Sequence, residues 1–299
     1  MPHRFCPASL ARADLRLRTA LALALVLAGM PSWAGAQAGG APDPREARPE
    51  RPSVATHAYA VAPGIVEVEA GIQRQDGGAL ATRLAVPLVF KIGLGRGVQL
   101  DVVPGWTRES EATGSDAGLT DVLLAVKWQL ADSAPVVNDF ALQTAVSLPT
   151  GSPQSGRGSG EAAINLLVIS SRRIGRVSLD VNAGYTRLGG DSDYAPRDST
   201  MWAIAAGLPI ARTIAWVAEV AGYPGTAGPA GGPPVVQFLT GPTFTARPSL
   251  VLDVGIILDV ENFGGTAVYA GLTWNLGRLW RASPRPSRRP MPRSLGHQE

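Results

Sequence analysis

The sequence predicts an all-β chain, a twelve-stranded antiparallel up-and-down transmembrane barrel of the outer-membrane type. Three observations predict it. From about residue 64 to 276 hydrophobic and polar residues alternate with period two, the period of a strand, whose successive side chains point to opposite faces. The N-terminus reads as an export signal. Charged residues are 17% of the chain, below the usual share, while hydrophobic residues stand at 45%.

The export signal comes first along the chain. Arg4, Arg12, Arg16 and Arg18 precede the apolar run ALALALVLAGM at 20–30, which at 11 residues is too short to cross a bilayer as a helix. Small residues follow in AGAQA at 34–38. A basic start, a short apolar run and a small-x-small site make residues 1–38 a secretory signal peptide. Its removal takes four Arg and one Asp and leaves 23 basic against 23 acidic residues, a net charge of zero. Nothing in that balance suggests a nucleic-acid partner. The only cysteine, Cys6, leaves with the signal, which excludes disulfides, thiol catalysis and Cys-ligated metal from the exported chain. An exported domain without disulfides needs another source of stability, and a closed sheet supplies one.

Residues 39–56 (GGAPDPREARPERPSVAT) are rich in Pro, Arg and Glu and lack periodicity, so they read as a disordered leader. Twelve strands follow between 57 and 276. The first, 64–74, sets Val66, Val68, Ala70 and Ile72 against Glu67, Glu69 and Gln73. The next five fall at 80–92, 97–108, 119–130, 139–149 and 162–172, each with aliphatic residues on one parity. The last six fall at 177–188, 200–210, 213–223, 234–246, 250–260 and 266–276. Each is about the length that a tilted transmembrane strand needs. Connections after the third, fifth, seventh and ninth strands are long and polar or rich in Gly and Pro: 109–118, 150–161, 189–199 and 224–233. Those after the second, sixth, eighth and tenth shrink to GLGRG, RRIG, IAR and RPS. Long loops on one side and short turns on the other are how outer-membrane barrels are built, although the connections after the first, fourth and eleventh strands break the alternation.

The run LVLDVGIILDV at 250–260 decides between a lipid-facing and a core-facing sheet. Leu250, Leu252, Val254, Ile256, Leu258 and Val260 share one face, and Val251, Asp253, Gly255, Ile257 and Asp259 the other. A soluble sandwich would carry many charges on its outward faces. These strands carry few, and their second face is small and mixed, as a barrel lumen is. The lumen-facing candidates are Glu67, Glu69, Arg83, Asp101, Asp121, Lys127, Asp180, Glu219, Asp253 and Asp259, with Lys91 beside them. Isolated buried charges are costly, so these residues are expected to pair or meet water. They could fill and stiffen a narrow lumen or form a constriction that selects permeants. Glu219, alone on an otherwise apolar strand, is expected to pair with an inward cation.

Catalytic and ligand chemistry is thin. The histidines are His3, His57 and His297, so no Ser-His-Asp set or His-ligated zinc can sit on the strands. No phosphate-binding loop with Lys occurs, because Lys91 and Lys127 are the only lysines. Gly93 to Gly97 reads as a tight turn, since no helix follows it. Asp191, Asp193 and Asp198 crowd one loop without the spacing of a calcium loop, and a solvated loop is expected. No enzyme activity, cofactor or metal is expected. Trp106, Trp128, Trp202, Trp274, Tyr185 and Tyr223 lie near strand ends, which suits aromatic girdles at the two interfaces.

Four segments carry a family resemblance: THAYAVAPGIVEVEAGI at 56–72, GLTDVLLAVKWQL at 118–130, LQTAVSLPTGSP at 142–153 and GPTFTARPSLVLDVGI at 241–256. With them, residues 55–276 resemble the outer-membrane family named for the meta-pathway of phenol degradation. The resemblance implies an outer-membrane barrel that admits small aromatic or other hydrophobic compounds, and it carries over no catalytic residue. Tyr269, Gly271, Trp274 and Leu276 also resemble the C-terminal signal read by the barrel assembly machinery, although residues 277–299, an Arg- and Pro-rich tail, follow it here. The expectation is a monomeric passive pore or facilitator in the outer membrane, in contact with lipid and with a small permeant. Two alternatives stay open: a plugged barrel with a structural or interaction role, and a soluble periplasmic β-protein that binds a lipid or a partner.

Overall fold

Alternating segments become strands, and pairing closes them on themselves. The computed structural model describes residues 43–77, 82–111, 114–134 and 138–280, with backbone alone at 131–134 and 138. The proposed signal peptide, residues 39–42 of the leader and residues 281–299 of the tail lie outside the described residues. The strands are β1 (Ile65–Asp76), β2 (Thr82–Gly95), β3 (Val98–Val103), β4 (Gly105–Glu111), β5 (Gly114–Leu119), β6 (Val122–Ala134), β7 (Asn138–Leu148), β8 (Ala163–Ile174), β9 (Val177–Leu188), β10 (Asp198–Pro209), β11 (Ile214–Tyr223), β12 (Val235–Arg247), β13 (Leu250–Glu261) and β14 (Thr266–Arg278). Every pairing is antiparallel, and β1 pairs with both β2 and β14, so the sheet closes.

Fourteen strands make twelve staves. Pro104 divides one stave into β3 and β4, and a break at Thr120 and Asp121 divides the next into β5 and β6. β3 pairs with β6, and β4 with β5. A proline offers no N–H to a ladder, which explains why the third stave splits where it does. The expected loop 109–118 is largely strand instead. β4 runs on to Glu111 and β5 starts at Gly114, and their register pairs Glu109 with Asp116 and Ser110 with Ser115. The polar composition that marks a loop marks here a largely exposed hairpin, against which Arg157 of the 149–161 loop packs at Gly118 and pairs with Asp116.

Both chain ends of the barrel, the start of β1 and the finish of β14, lie at one end, called here the terminal end; the opposite end carries the longer connections. Outward positions are aliphatic or aromatic nearly throughout. Tyr185 and Trp202 stand toward the loop end of their strands and Trp106 near the middle of its stave, while Trp128, Trp216, Phe244 and Trp274 stand toward the terminal end. Two aromatic rings bounding an aliphatic band are what a sheet needs to sit between two interfaces. Tyr223 departs from this pattern, because its odd position on β11 turns it inward with Glu219 and Ala221.

Residues 43–64 correct the expectation of a disordered leader. They lie inside the barrel at its terminal end, bonded to the wall along most of their length. The reason is charge complementarity: the arginines, glutamates and free amides of the leader meet a wall whose inward positions need partners.

Val254 projects outward near the middle of β13 and is 53% exposed. Val254→Arg in lipid is expected to cost about 2–4 kcal/mol of barrel stability, as for a cation at the bilayer midplane. Urea titration of the refolded barrel in vesicles checks this, and a cost under about 1 kcal/mol would mean that the face meets no hydrocarbon.

Candidate functional site

The lumen is built from the odd positions of most staves and the even positions of β9, and the leader fills its terminal half. The leader enters beside β14, where Asn275 Nδ2 donates to the carbonyls of Pro44 (3.0 Å) and Glu46 (3.1 Å). Ala47 N–H donates to Pro248 O in the β12–β13 turn at 2.8 Å. The chain then follows the inner wall. Arg51 reaches Asp253 on β13 at 3.5 Å. Val54 and Ala55 N–H donate to the two oxygens of Glu219 on β11, at 2.9 and 2.7 Å. Thr56 exchanges two bonds with Asn182 on β9, at 2.8 and 2.9 Å. Ala58 N–H meets Ser171 Oγ on β8, the Tyr59 hydroxyl donates to Asp139 on β7, and Val61 N–H meets Gln99 Oε1 on β3. Gly64 N–H closes the circuit on Gly93 O of β2 at 2.7 Å. Residues 51–64 thus run around the lumen stave by stave, without a helix or strand of their own.

The path explains why these wall residues are polar. An extended chain off the sheet leaves its amides unpaired, and each unpaired amide away from water costs on the order of 1–3 kcal/mol. Asn, Gln, Ser and Glu at inward positions supply the missing acceptors. Several relay the bond onward: Gln99 donates to Asp101 at 2.8 Å, and Ser171 to Asp180 at 2.5 Å. The leader's small apolar residues finish the fit. Ala55 packs with Ala203, Ala205 and Ala221, and Ala58 with Ala141 and Ile169.

One charge cluster lies at the inner turn of the leader. Lys91 and Lys127 are wholly buried. Lys91 Nζ bonds Glu69 at 2.6 Å, Glu67 at 3.0 Å and Arg48 O at 3.0 Å. Lys127 Nζ bonds leader Glu50 and, at 3.3 Å, His57 O. Glu67 and Glu69 also accept from the Arg48 and Glu50 N–H groups, each at 2.7 Å. Buried charges persist only with such dense pairing, because each forfeits several kcal/mol of hydration.

Glycine marks where the leader presses hardest. Gly71 of β1 and Gly271 of β14 are register partners, and the Arg51 guanidinium lies where a Cβ on either would stand. A Cβ on Gly93 would meet the carbonyl oxygens of Val61 and Ala62.

The ten expected lumen residues divide by height. Glu67, Glu69, Lys127, Glu219 and Asp253 bond the leader directly, and Asp101 and Asp180 do so through Gln99 and Ser171. The other three sit at the loop-end rim. Arg83 pairs with Glu109 at 3.6 Å. Asp121 holds the 149–161 loop by accepting from Gly151 N–H, Ser159 N–H and the Ser159 hydroxyl. Asp259 is exposed and accepts from the N–H groups of Phe263, Gly264 and Gly265. Glu219 differs from its expectation. Its described partners are the amides of Val54 and Ala55, since two N–H donors satisfy a buried carboxylate as well as a cation would. The sequence reading missed the leader's own Arg48, Glu50, Arg51 and His57, the neutral acceptors Gln99, Ser171 and Asn182, and the donor Asn275. An alternating sequence of Arg and Glu ahead of strands with lone inward charges was the available signal. In the loop that carries Asp191, Asp193 and Asp198, Asp191 is paired with Arg197 at 3.0 Å. Among the described residues no cluster of His, Cys, Asp and Glu is arranged to hold a metal ion.

Between the leader and the rim the lumen changes character. Its inward strand positions include Ala85, Pro87, Val103, Leu123, Leu239 and Ile257, the polar ones there are neutral, such as Asn165 and Thr186, and no described one is charged. The lumen therefore has an uncharged, largely apolar collar above a hydrogen-bonded floor. Within the floor a cavity of about 260 Å³ remains, lined by Arg51, Ala55, His57, Tyr59 and Asp180 among others.

Comparison with known proteins places this geometry. A family model described as "Putative MetA-pathway of phenol degradation" matches residues 49–274, a span that begins inside the leader. No curated relative matches. Among solved structures, the COG4313 outer membrane channel from Pseudomonas putida F1 superposes with a TM-score of 0.57 at 11% identity, covering 73% of this chain and 97% of that one. The NanC porin gives 0.46 at 10% identity, covering 71% and 100%. Outer membrane phospholipase A from Escherichia coli gives 0.41 at 11% identity, covering 76% and 94%. The first shows a shared fold, and the other two are too distant to carry an argument.

Glu219→Gln turns one acceptor into a donor that faces an amide. It is expected to loosen the leader by about 1–3 kcal/mol. Amide hydrogen exchange across residues 53–58 of the folded protein should then quicken roughly tenfold or more. Exchange as slow as in the parent would show that Glu219 does not hold the leader.

Proposed function

The chain belongs to the family described as "Putative MetA-pathway of phenol degradation", and from that premise we propose that it is an outer-membrane facilitator for small apolar compounds, aromatic ones included. The uncharged collar carries this reading. A pore for ions or sugars needs polar groups along its length to replace lost water. Here the charges are confined to the floor, where the leader consumes them, and to the rim. The collar offers an apolar solute a favourable environment and a hydrated one none. The P. putida relative by fold is titled an outer membrane channel, which agrees.

Export and assembly belong to the same reading. Residues 1–38 are removed as a signal peptide, and the barrel assembly machinery reads Tyr269, Gly271, Trp274 and Leu276 before folding. In the folded barrel those residues have other surroundings. Tyr269 lies inside against Gly241 and Gly255, Gly271 lies beneath Arg51, and Trp274 and Leu276 face outward. Closure of the sheet leaves no edge strand to pair with a neighbour, which supports a monomer. A lipid-cleaving role is disfavoured, since His57, the one described histidine, lies on the leader inside the barrel.

A second reading, a plugged barrel with a structural role, is favoured by one observation: the leader is bonded to stave after stave. Whole-cell uptake separates the two. Cells whose outer membrane carries the protein should take up radiolabelled toluene faster than cells without it, with uptake of sucrose unchanged. Equal toluene uptake would leave the plugged barrel as the account.

A further inference from the structure

The cavity in the floor has an entrance of its own, away from the collar. It lies on the terminal side of the leader, with a volume of about 260 Å³. Its roof is the leader itself. On β8, β9, β10 and β11 the residue two positions nearer the loop end than a lining residue bonds the leader or packs on it. Glu219 stands above Val217 and accepts from Val54 and Ala55 N–H, and Asn182 stands above Asp180 and bonds Thr56. Ala203 stands above Ala205 and packs on Ala55, and Ile169 stands above Ser171 and packs on Ala58. The leader therefore separates this cavity from the collar. Its mouth faces the other way, toward the β8–β9 turn and the finish of β10, where Arg173, Arg176 and Pro209 are exposed. That end carries the short turns, which face the periplasm in a barrel of this type.

The lining is amphipathic. Its inner wall is made of methyl groups, from Ala55, Ala205, Ala215 and Val217, beside the tilted rings of His57 and Tyr59, 5.4 Å apart. Its mouth is cationic. Arg172, Arg173 and Arg176 line it from the β8–β9 hairpin, and among the described residues none of them forms an ion pair. Arg176 Nη2 donates to Pro209 O at 2.7 Å. That bond reaches past β9 to β10, holds the guanidinium at the mouth and uses one of its five N–H donors. The other charges of the lining are already taken. Glu50 is paired with Lys91 and Lys127, Arg51 with Asp253, and Asp180 accepts from the Ser171 hydroxyl at 2.5 Å. Asp139, next to the lining, accepts from the Tyr59 hydroxyl at 2.7 Å. Other turns at this end add Arg96, Arg212 and Arg247, so the local field draws anions.

We propose that this cavity is a binding site for a small organic carboxylate, entered from the periplasm. The apolar body of the ligand lies against the methyl wall, and its two oxygens meet the Arg173 and Arg176 guanidinium groups, whose planar forks suit a carboxylate. Burial of the body removes apolar surface from water, which a bare inorganic anion cannot do. The volume suits one ring with one such group, since an apolar cavity of about 150 Å³ suffices for benzene. A bound anion would touch the leader and the wall together, so it fastens the segment that closes the floor.

Benzoate is the probe. Titration calorimetry of the full folded barrel in nonionic detergent is expected to show saturable benzoate binding. Benzyl alcohol, which lacks the charge, and inorganic phosphate, which lacks the body, should each bind roughly tenfold more weakly or worse. Arg173→Gln/Arg176→Gln is expected to weaken benzoate binding by roughly tenfold or more. Both side chains are exposed at the end of the sheet, so the variant should keep the heat-dependent gel mobility of the folded parent. Amide hydrogen exchange reports the location: saturating benzoate should slow exchange across residues 53–58 in the parent and leave it unchanged in the variant. No saturable binding, or benzoate binding that the double variant leaves intact, would overturn the site. So would phosphate binding as tight as benzoate, which would mean an adventitious ion only, held at exposed arginines. Exchange that saturating benzoate does not slow would put the anion outside the cavity and overturn the site as well.

Discussion

Hydrocarbon offers a backbone no water, and nearly everything in this structure follows from that. Each N–H and C=O within the membrane needs a partner in the protein, so the sheet has to close, and β1 finds both β2 and β14. Closure separates two environments. The outward parity meets lipid and is aliphatic with aromatic borders. The inward parity is shielded from both bulk solvents and is filled by whatever satisfies it. Where the ladder breaks, at Thr120 and Asp121, the neighbouring loop takes up the Asp121 and Val122 N–H groups through Arg157 O and Thr150 Oγ1.

The same demand orders the leader. Residues 43–56 have the composition of a segment that cannot bury enough apolar surface to fold alone. They need not fold alone, because the barrel supplies acceptors already fixed in place. Glu219, Asn182, Ser171 and Gln99 lose little freedom when they accept an amide, so most of the entropy lost is the leader's own. Each side also solves the other's electrostatic problem. Glu50 neutralises lysines that wall carboxylates alone would leave short of partners, and Arg51 gives Asp253 a cation over a floor of two glycines.

The barrel was legible because its signal is repeated. Twelve alternating segments reinforce one another, and the run at 250–260 shows both parities cleanly. The boundaries that failed did so for local reasons. The polar stretch 109–118 reads as loop because a hairpin covered on one side by a polar loop and exposed on the other has no hydrophobic parity, and the split at Pro104 is invisible to periodicity because Val103 and Gly105 continue the pattern. The inward charges were legible as a set, since a carboxylate on an alternating strand has only one face to occupy. Their partners were not. Val54 and Ala55 contribute main-chain N–H groups to Glu219, and a main chain has no letter in the sequence. The segregation of charge by height escaped too. It depends on the stagger of each stave, which places Glu219 at mid-lumen and Asp259 at the rim although both are simply inward.

The circuit of the leader also bears on the order in which the molecule is made. Its hydrogen-bond partners come from staves spread across the whole chain, from Glu67 on the first to Asn275 on the last. The segment that precedes every strand therefore has no complete place to go until the final strand has joined the first. During assembly it is an open-ended thread among half-formed walls, and the ring around it is finished only when the cylinder is. The segment that enters the barrel first in sequence is the last to have its full set of partners.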